Sequence, residues 1–208
     1  HSSAVGVAEN QPAKLAAYEG HYAANEPAPL YLFGWVNDDT QQVAGLKIPG
    51  MLSWMVHGDW NAPVTGLNSF AAEDRPPVNI VFQSYHIMVG IGMVLILISL
   101  LGASYWWRGN LAQTRWLLWI MVFSILGPHI ANQLGWLSAE VGRQPWVVYE
   151  VLRTSDALSS VVSANEVITS LVMFGLIYLL LFILFIFLLN EKIQKGPEGV
   201  AVQDGRMA

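Results

Sequence analysis

Three long stretches of the chain contain no Asp, Glu, Lys or Arg, and they constrain its fold more than any other feature. They cover residues 76–107, 116–139 and 167–190, and each is at least 24 residues long. A helix rises about 1.5 Å per residue, so about 20 apolar residues cross the hydrocarbon core of a bilayer. Lipid offers the backbone no hydrogen-bond partners, and the apolar residues do not alternate as in barrel strands. The sequence therefore predicts an all-α membrane protein with three transmembrane helices.

The predicted organisation has three regions. Residues 1–76 form an extracytoplasmic loop or cap, residues 77–190 the transmembrane region, and residues 191–208 a cytoplasmic tail. The three helices are expected at about 79–107, 114–141 and 165–189.

Within the first region, residues 11–24 are expected to form a short helix and residues 30–36 an extended segment. Residues 48–56 are apolar, but they are too few to span a membrane, and we expect them at its interface.

The cationic residues predict the orientation in the membrane. The connection between the first two helices holds Arg108 and Arg115 and no acid, and the tail holds Lys192, Lys195 and Arg206. The positive-inside rule places both in the cytoplasm and the N-terminal region outside. Trp residues near the helix ends are typical of the interfacial belt.

Composition excludes several functions. Residues 1–76 carry eight acids against three basic residues, which does not suit nucleic-acid binding. The chain has no Cys, so disulfides, iron–sulfur clusters and covalently attached haem are excluded. The chain begins with His1 and lacks a cleavable signal pattern, so we expect a processed chain, a fragment or one subunit of a larger protein.

Polar residues within the apolar stretches are candidates for function because burying them in lipid is costly. His86, His129 and Met88 are possible axial ligands of haem iron. Equally, each histidine can bond to a neighbouring helix, and a methionine can simply fill the core. His86 and Met88 are two positions apart, which is about 200° around a helix, so they cannot ligate one haem from the same side.

A second group of candidates lies around the outer end of the second helix. Glu140 is followed by Arg143, whose planar fork suits haem propionates, and by Gln144, which adds amide donors. An ordinary interfacial turn is the alternative. Lys14 and Glu19, near one another if their segment is helical, can bind and deprotonate a polar headgroup or belong to a solvated helix face.

Several strings resemble subunit I of the cytochrome bd quinol oxidases, in that family's order. Residues 139–146 read Ala-Glu-Val-Gly-Arg-Gln-Pro-Trp, and residues 152–154 read Leu-Arg-Thr. Lys-Leu-Ala-Ala-Tyr-Glu at 14–19 and Ala-Pro-Val-Thr-Gly-Leu at 62–67 resemble the quinol-binding loop. Ile-Met-Val-Gly at 87–90 resembles the helix that carries a haem-ligating methionine.

The resemblance implies a role for each matching residue. Met88 would ligate the low-spin haem b, and Glu140 the high-spin haem b. Trp136 and Arg143 would line or clamp the haem region, while Lys14 and Glu19 would contact the quinol. The family oxidises quinol at the outer face and reduces dioxygen at a haem d, which generates a proton motive force. It is found in the cytoplasmic membrane of bacteria or archaea.

The sequence departs from the family in two ways. His86 stands where the family usually has an Arg, which puts the setting of the low-spin haem in doubt. Only the C-terminal half of subunit I is matched. The resemblance therefore implies a second chain that supplies the N-terminal half with its His ligands, a subunit II-like chain and, in some complexes, small single-helix subunits.

A different function stays open. The chain would then be a haem b membrane anchor that transfers electrons without oxygen chemistry, with His86 and His129 as a bis-imidazole pair and Met88 as filler. A structural subunit without ligands is a third option, against which the retained Met88 and Glu140 argue.

Overall fold

The structure is a computed structural model that describes residues 2–23, 26–159 and 161–196. The chain divides into two compact units, residues 1–157 and residues 158–208. Three helices in the described residues are long and apolar enough to cross a membrane, as predicted from the charge-free stretches.

Helices α1 and α2 open the N-terminal region and cover Ser2–Asn10 and Pro12–Glu19. The second is shorter than the predicted 11–24 because Gly20 adopts a left-handed conformation with φ of 58° and caps it. Proline at the first position of α2 costs no hydrogen bond, since that N–H has no partner within a helix. A third short helix, α3, covers Met51–His57 and so includes most of the apolar segment 48–56.

Short strands also form in the segments between the helices. Strand β2, Leu30–Asn37, confirms the extended segment and pairs in antiparallel fashion with β3, Gln42–Ile48. The other two sheets are small. In one, β1 (Glu26–Pro27) pairs with β4 (Pro63–Val64), and in the other, β5 (Trp146–Val148) pairs with β6 (Leu152–Arg153).

The first membrane helix, α4, runs over Val78–Trp107, within a residue of its prediction. It begins directly after Pro77, which fits a helix start. Its first turns pack into the main core of the N-terminal region, where Val81 and Phe82 are fully buried against α2 and β2. The main core of the first unit therefore lies at one end of α4, and the rest of this helix is largely exposed.

The second span, predicted as one helix, is interrupted. It consists of α5, Arg115–Phe123, and α6, Leu126–Val141. The cause is Pro128, whose ring clashes with the carbonyl four residues earlier and which lacks the N–H that would bond to it. The Ser124 carbonyl instead accepts from Gly127 at 2.9 Å.

The third span, α7, covers Ala164–Lys195 and lies in the second unit. Ser163 and Glu166 form a capping box at its start, in which each side chain bonds to the other's backbone N–H. The helix extends six residues beyond its predicted end. Of the predicted tail 191–208, residues 197–208 lie outside the described residues.

Candidate functional site

Glu19 is the most deeply buried acid of the N-terminal region, with 1% of its surface exposed. It is the last residue of α2, and its Oε2 atom accepts a hydrogen bond of 2.7 Å from the backbone N–H of Tyr31. The Nε2 atom of His86 lies 3.8 Å from the same oxygen. Three elements, α2, β2 and α4, thus meet at one carboxyl group.

His86 is held by two backbone carbonyl groups. Its Nδ1 atom lies 2.8 Å from the Phe82 oxygen and its Nε2 atom 2.9 Å from the Tyr31 oxygen, while its ring stacks on Phe82. Because each nitrogen faces a hydrogen-bond acceptor, neither presents a free lone pair to a metal ion. This geometry associates His86 with Glu19 and disfavours the bis-imidazole alternative.

Burial raises the pKa of Glu19 to about 8, and the hydrogen bond from Tyr31 opposes this only in part. Desolvation disfavours the charged carboxylate, so the group changes charge near neutral pH. A carboxyl group with such a pKa can accept a proton and release it again under physiological conditions.

Lys14 lies on a different side of α2 from Glu19. Five positions correspond to about 140° around a helix, and the Nζ atom of Lys14 donates to the Ala139 carbonyl at 3.1 Å. Between them, Tyr18 stacks on Tyr85 with ring centroids 4.4 Å apart. The Nζ atom of Lys14 lies 5.9 Å from the centroid of the Tyr18 ring, so Lys14 approaches the aromatic pair from a different side of α2 than Glu19.

Two cations converge at a cleft near the end of α6. Burial lowers the pKa of Lys14, and the nearby charge of Arg143 lowers it further, while Glu140 opposes both. Gln11 and Trp146 also line this cleft. The Oε1 atom of Gln11 is buried and has no hydrogen-bond partner among the described residues, so the cleft offers an acceptor as well as positive charge.

Met88 is half-buried and faces α6. A Cβ atom placed on Gly135 would lie 3.0 Å from its Sδ atom, so the glycine leaves room for the thioether. His86 meanwhile faces α2 and β2, and the two residues diverge as their spacing predicts.

Glu140 and Arg143 form an ion pair over one helical turn. The Nε and Nη2 atoms of Arg143 donate to Oε2 of Glu140 at 3.0 and 2.6 Å. Both side chains are more than a third exposed, so the pair remains open to a further ligand.

The loop after α6 is fixed by contacts that the sequence did not predict. Arg153 donates to Asp74 at 2.7 Å and lies 5.0 Å from the centroid of the Trp146 ring. Gln144 accepts from the Thr154 hydroxyl at 2.8 Å. The Leu-Arg-Thr string was the available signal, but only the fold brings it opposite the acids that precede α4.

One face of α6 carries polar and aromatic side chains at helical spacing. His129, Asn132, Gln133 and Trp136 are all exposed, and Glu140 continues the face. Exposed polar residues along a membrane span are costly in lipid. This face is therefore suited to contact protein or a cofactor.

No group of three or more His, Cys, Asp or Glu in the described residues is arranged to hold a metal ion. The Met88 thioether and the Glu140 carboxylate are each single candidate donors. Single axial donors fit an iron that brings its other ligands in a macrocycle, so the residues fit haem.

These features define an integral membrane protein with a buried acid–histidine pair, a half-buried thioether and a partly exposed carboxylate. The family model for cytochrome bd terminal oxidase subunit I matches residues 1–197, so the chain belongs to that family and the predicted resemblance is confirmed.

Two relatives come from Bacillus subtilis (strain 168). The chain is 34% identical to its cytochrome bd ubiquinol oxidase subunit 1 over 209 residues, which cover 95% of this chain and 45% of the relative. It is 33% identical over 201 residues to its putative cytochrome bd menaquinol oxidase subunit I, covering 95% and 44%.

The solved structure of the bd oxidase from Geobacillus thermodenitrificans matches with a TM-score of 0.71 and 35% identity. The match covers 94% of this chain and 45% of that one. The chain thus spans less than half the length of these relatives.

Proposed function

We propose that the chain is the C-terminal part of subunit I in a membrane quinol:dioxygen oxidoreductase of the cytochrome bd type. One observation carries this proposal. Helix α4 presents His86 to the buried Glu19 on one side and Met88 to α6 on another, two residues further along. A site that takes protons from quinol and a ligand of the electron-accepting haem would then share a single turn of helix.

The reaction removes two electrons and two protons from each quinol. Glu19, when deprotonated, accepts a proton from a quinol hydroxyl, which its raised pKa of about 8 favours over an ordinary carboxylate. Lys14 donates a hydrogen bond to a quinol oxygen from its side of the Tyr18–Tyr85 pair. Oxidation at the outer face then releases the protons outside.

Met88 would hold the low-spin haem b and Glu140 the high-spin haem b. Arg143 keeps its contact with one carboxylate oxygen of Glu140 and, with Lys14, supplies positive charge for propionates. Trp136 and Gln144 would also line the haem region. The b haems, with haem d, supply electron transfer and dioxygen reduction, from which a proton motive force arises.

The exposed polar face of α6 supports the proposal of partner chains. A chain with the N-terminal half of subunit I would cover it and contribute the His ligands. We further propose a subunit II-like chain in the complex and, in some complexes, small single-helix subunits.

We propose that the N-terminal region faces outward and the C-terminus faces the cytoplasm, supported by Arg108 and Arg115 in the α4–α5 connection. The chain lacks Cys, so Thr40→Cys and Asn110→Cys can be probed singly with a membrane-impermeant maleimide on intact cells. Labelling of the first and not the second supports this orientation, and the reverse pattern contradicts it.

The test of the function is a haem inventory with an activity assay on the purified complex. A pyridine-haemochrome spectrum should show b haems with haem d, and quinol should be consumed at two molecules per dioxygen. A complex with haem b alone and no oxygen uptake would favour the electron-transfer anchor. Mass spectrometry of the same sample identifies the partner chains.

A further inference from the structure

The β2–β3 hairpin has one face made of apolar side chains that nothing in the described residues covers. In the antiparallel register, Phe33 lies opposite Leu46 and Trp35 opposite Ala44. Phe33 and Trp35 are each 63% exposed and Leu46 is 53% exposed. Leu32, an extra residue at the irregularity in the register, is 50% exposed as well.

The opposite face of the hairpin is its packed face. Val36 is 1% exposed and belongs to the main core with Phe82, and Val43 packs against that core. A two-sided hairpin normally turns its apolar face to the core and its polar face to water. Here both faces are apolar, which requires a second apolar environment.

Two hydrogen bonds fix the hairpin to a known position along α4. Gln83 donates through Nε2 to the Gly34 carbonyl at 2.8 Å, and His86 lies against the Tyr31 carbonyl. From the exposed face, Trp35 lines a groove together with Ile87 of α4. The exposed face is therefore level with the second and third turns of α4.

That level corresponds to the edge of the hydrocarbon core. Arg108 closes the charge-free stretch at the far end of α4, and Trp106 and Trp107 mark the interface there. Twenty residues back from Trp107 is Ile87, about 30 Å away along the helix, which is the thickness of a hydrocarbon core. Trp35 therefore sits where Trp side chains are preferred in membranes.

We propose that the β2–β3 hairpin inserts its apolar face, formed by Phe33, Trp35 and Leu46, into the boundary between the headgroups and the acyl chains of the lipid bilayer. The face carries no charge, and the acids Asp38 and Asp39 lie at the turn, at the other end of the strands. It is continuous with the apolar groove surface of α4 and α6. The hairpin thereby anchors β2, whose Tyr31 contacts Glu19, to the membrane surface.

The test uses the whole complex in lipid nanodiscs with Leu46→Cys carrying a nitroxide label. Thr40→Cys, in the exposed turn, is the matched control for water, and Leu97→Cys, exposed on α4, is the control for lipid. The unsubstituted complex, whose chain has no Cys, corrects for labels on partner chains. Collision rates with dioxygen and with a neutral nickel chelate are measured by power-saturation EPR.

The proposal predicts that the label at Leu46 collides with dioxygen severalfold more readily than the label at Thr40 and is shielded from the nickel chelate. A nickel accessibility equal to that at Thr40 would show a water-exposed face. An immobilised label that neither reagent reaches would show that a partner chain covers the hairpin. Either result overturns the proposal, and Phe33→Cys repeats the test if the first variant does not assemble.

Discussion

The Nε2 atom of His86 and the Oε2 atom of Glu19 lie 3.8 Å apart, and both side chains contact the backbone of Tyr31. Glu19 accepts from the N–H of Tyr31, and His86 lies at hydrogen-bond distance from its carbonyl oxygen. The imidazole ring of His86, which stacks on Phe82, positions β2, and β2 in turn positions the carboxyl group of Glu19.

Replacement of His86 by Leu should impair quinol oxidation without removing the low-spin haem. The Tyr31 carbonyl loses its partner, so β2 shifts and Glu19 is no longer oriented. We expect kcat to fall by about tenfold, the equivalent of about 1.4 kcal/mol, with a smaller change in KM. The measurement is steady-state oxygen uptake with a short-chain quinol, alongside reduced-minus-oxidised spectra.

His86→Gln is the matched variant, because its amide N–H can still reach the Tyr31 carbonyl. It should restore most of the activity. If both variants lose the low-spin haem spectrum together, His86 is a haem ligand and the positioning role is wrong.

Glu19 should impose a pH dependence on quinol oxidation. Its pKa of about 8 means that the carboxyl group is mostly protonated below that pH and cannot accept a proton there. The kcat/KM for quinol should therefore rise as the pH increases towards 8 and level off above it. Glu19→Gln should be slow at all pH values and lose this rise, with its haem spectra intact.

The raised pKa of Glu19 should also make the stability of the fold depend on pH. Since the pKa of Glu19 is raised above its ordinary value of 4.5, the folded state binds the proton more tightly than the unfolded state. The stabilisation of the folded state by this bound proton is fully present below pH 4.5, and it is lost as the pH rises towards 8. Thermal midpoints of the wild-type complex should decline over that interval relative to Glu19→Gln, and parallel curves would show that Glu19 is not desolvated.

Gly135 should be required for the position of Met88. A Cβ atom there lies 3.0 Å from the sulfur atom, so Gly135→Val must displace the thioether. We expect a shifted or lost low-spin haem band in reduced-minus-oxidised spectra. Gly92→Val on α4 is the control, because a Cβ atom at Gly92 has no neighbour within 4 Å in the described part of the chain. Equal spectral effects from both variants would indicate a general helix defect.

The contact of Arg153 with Asp74 should stabilise the loop that follows α6. Its distance is 2.7 Å, and both side chains are partly buried, so we expect a coupling of about 1 kcal/mol. A double-mutant cycle with Arg153→Gln and Asp74→Asn, read by thermal unfolding of the complex, measures it. Glu73→Gln is the control, since Glu73 lies 3.8 Å from Arg153 and is 73% exposed. Additive effects of the two main variants would rule the coupling out.

The spans could be predicted from the sequence because charge is excluded from lipid over a fixed length, and α4 begins within a residue of its prediction. Only Pro128 indicates in the sequence that the second span is interrupted before α6. The partner of Glu19 could not be predicted. Tyr31 contributes only backbone atoms there, and no sequence pattern marks a backbone N–H that caps a buried acid.

Long-range contacts were missed for a similar reason. Arg153 and Asp74 are 79 positions apart, and each alone is an ordinary charged residue near an interface. In contrast, the divergence of His86 and Met88 follows from helix geometry and was predicted from their spacing.

Spectra of Met88→Leu in the purified complex show whether α4 separates a quinol-site histidine from a haem-ligating methionine. Leu fills similar space but cannot bind iron, so the low-spin haem b signal should disappear while the other haem signals remain. A low-spin signal that survives in Met88→Leu and disappears in His86→Ala would show instead that His86 ligates the haem.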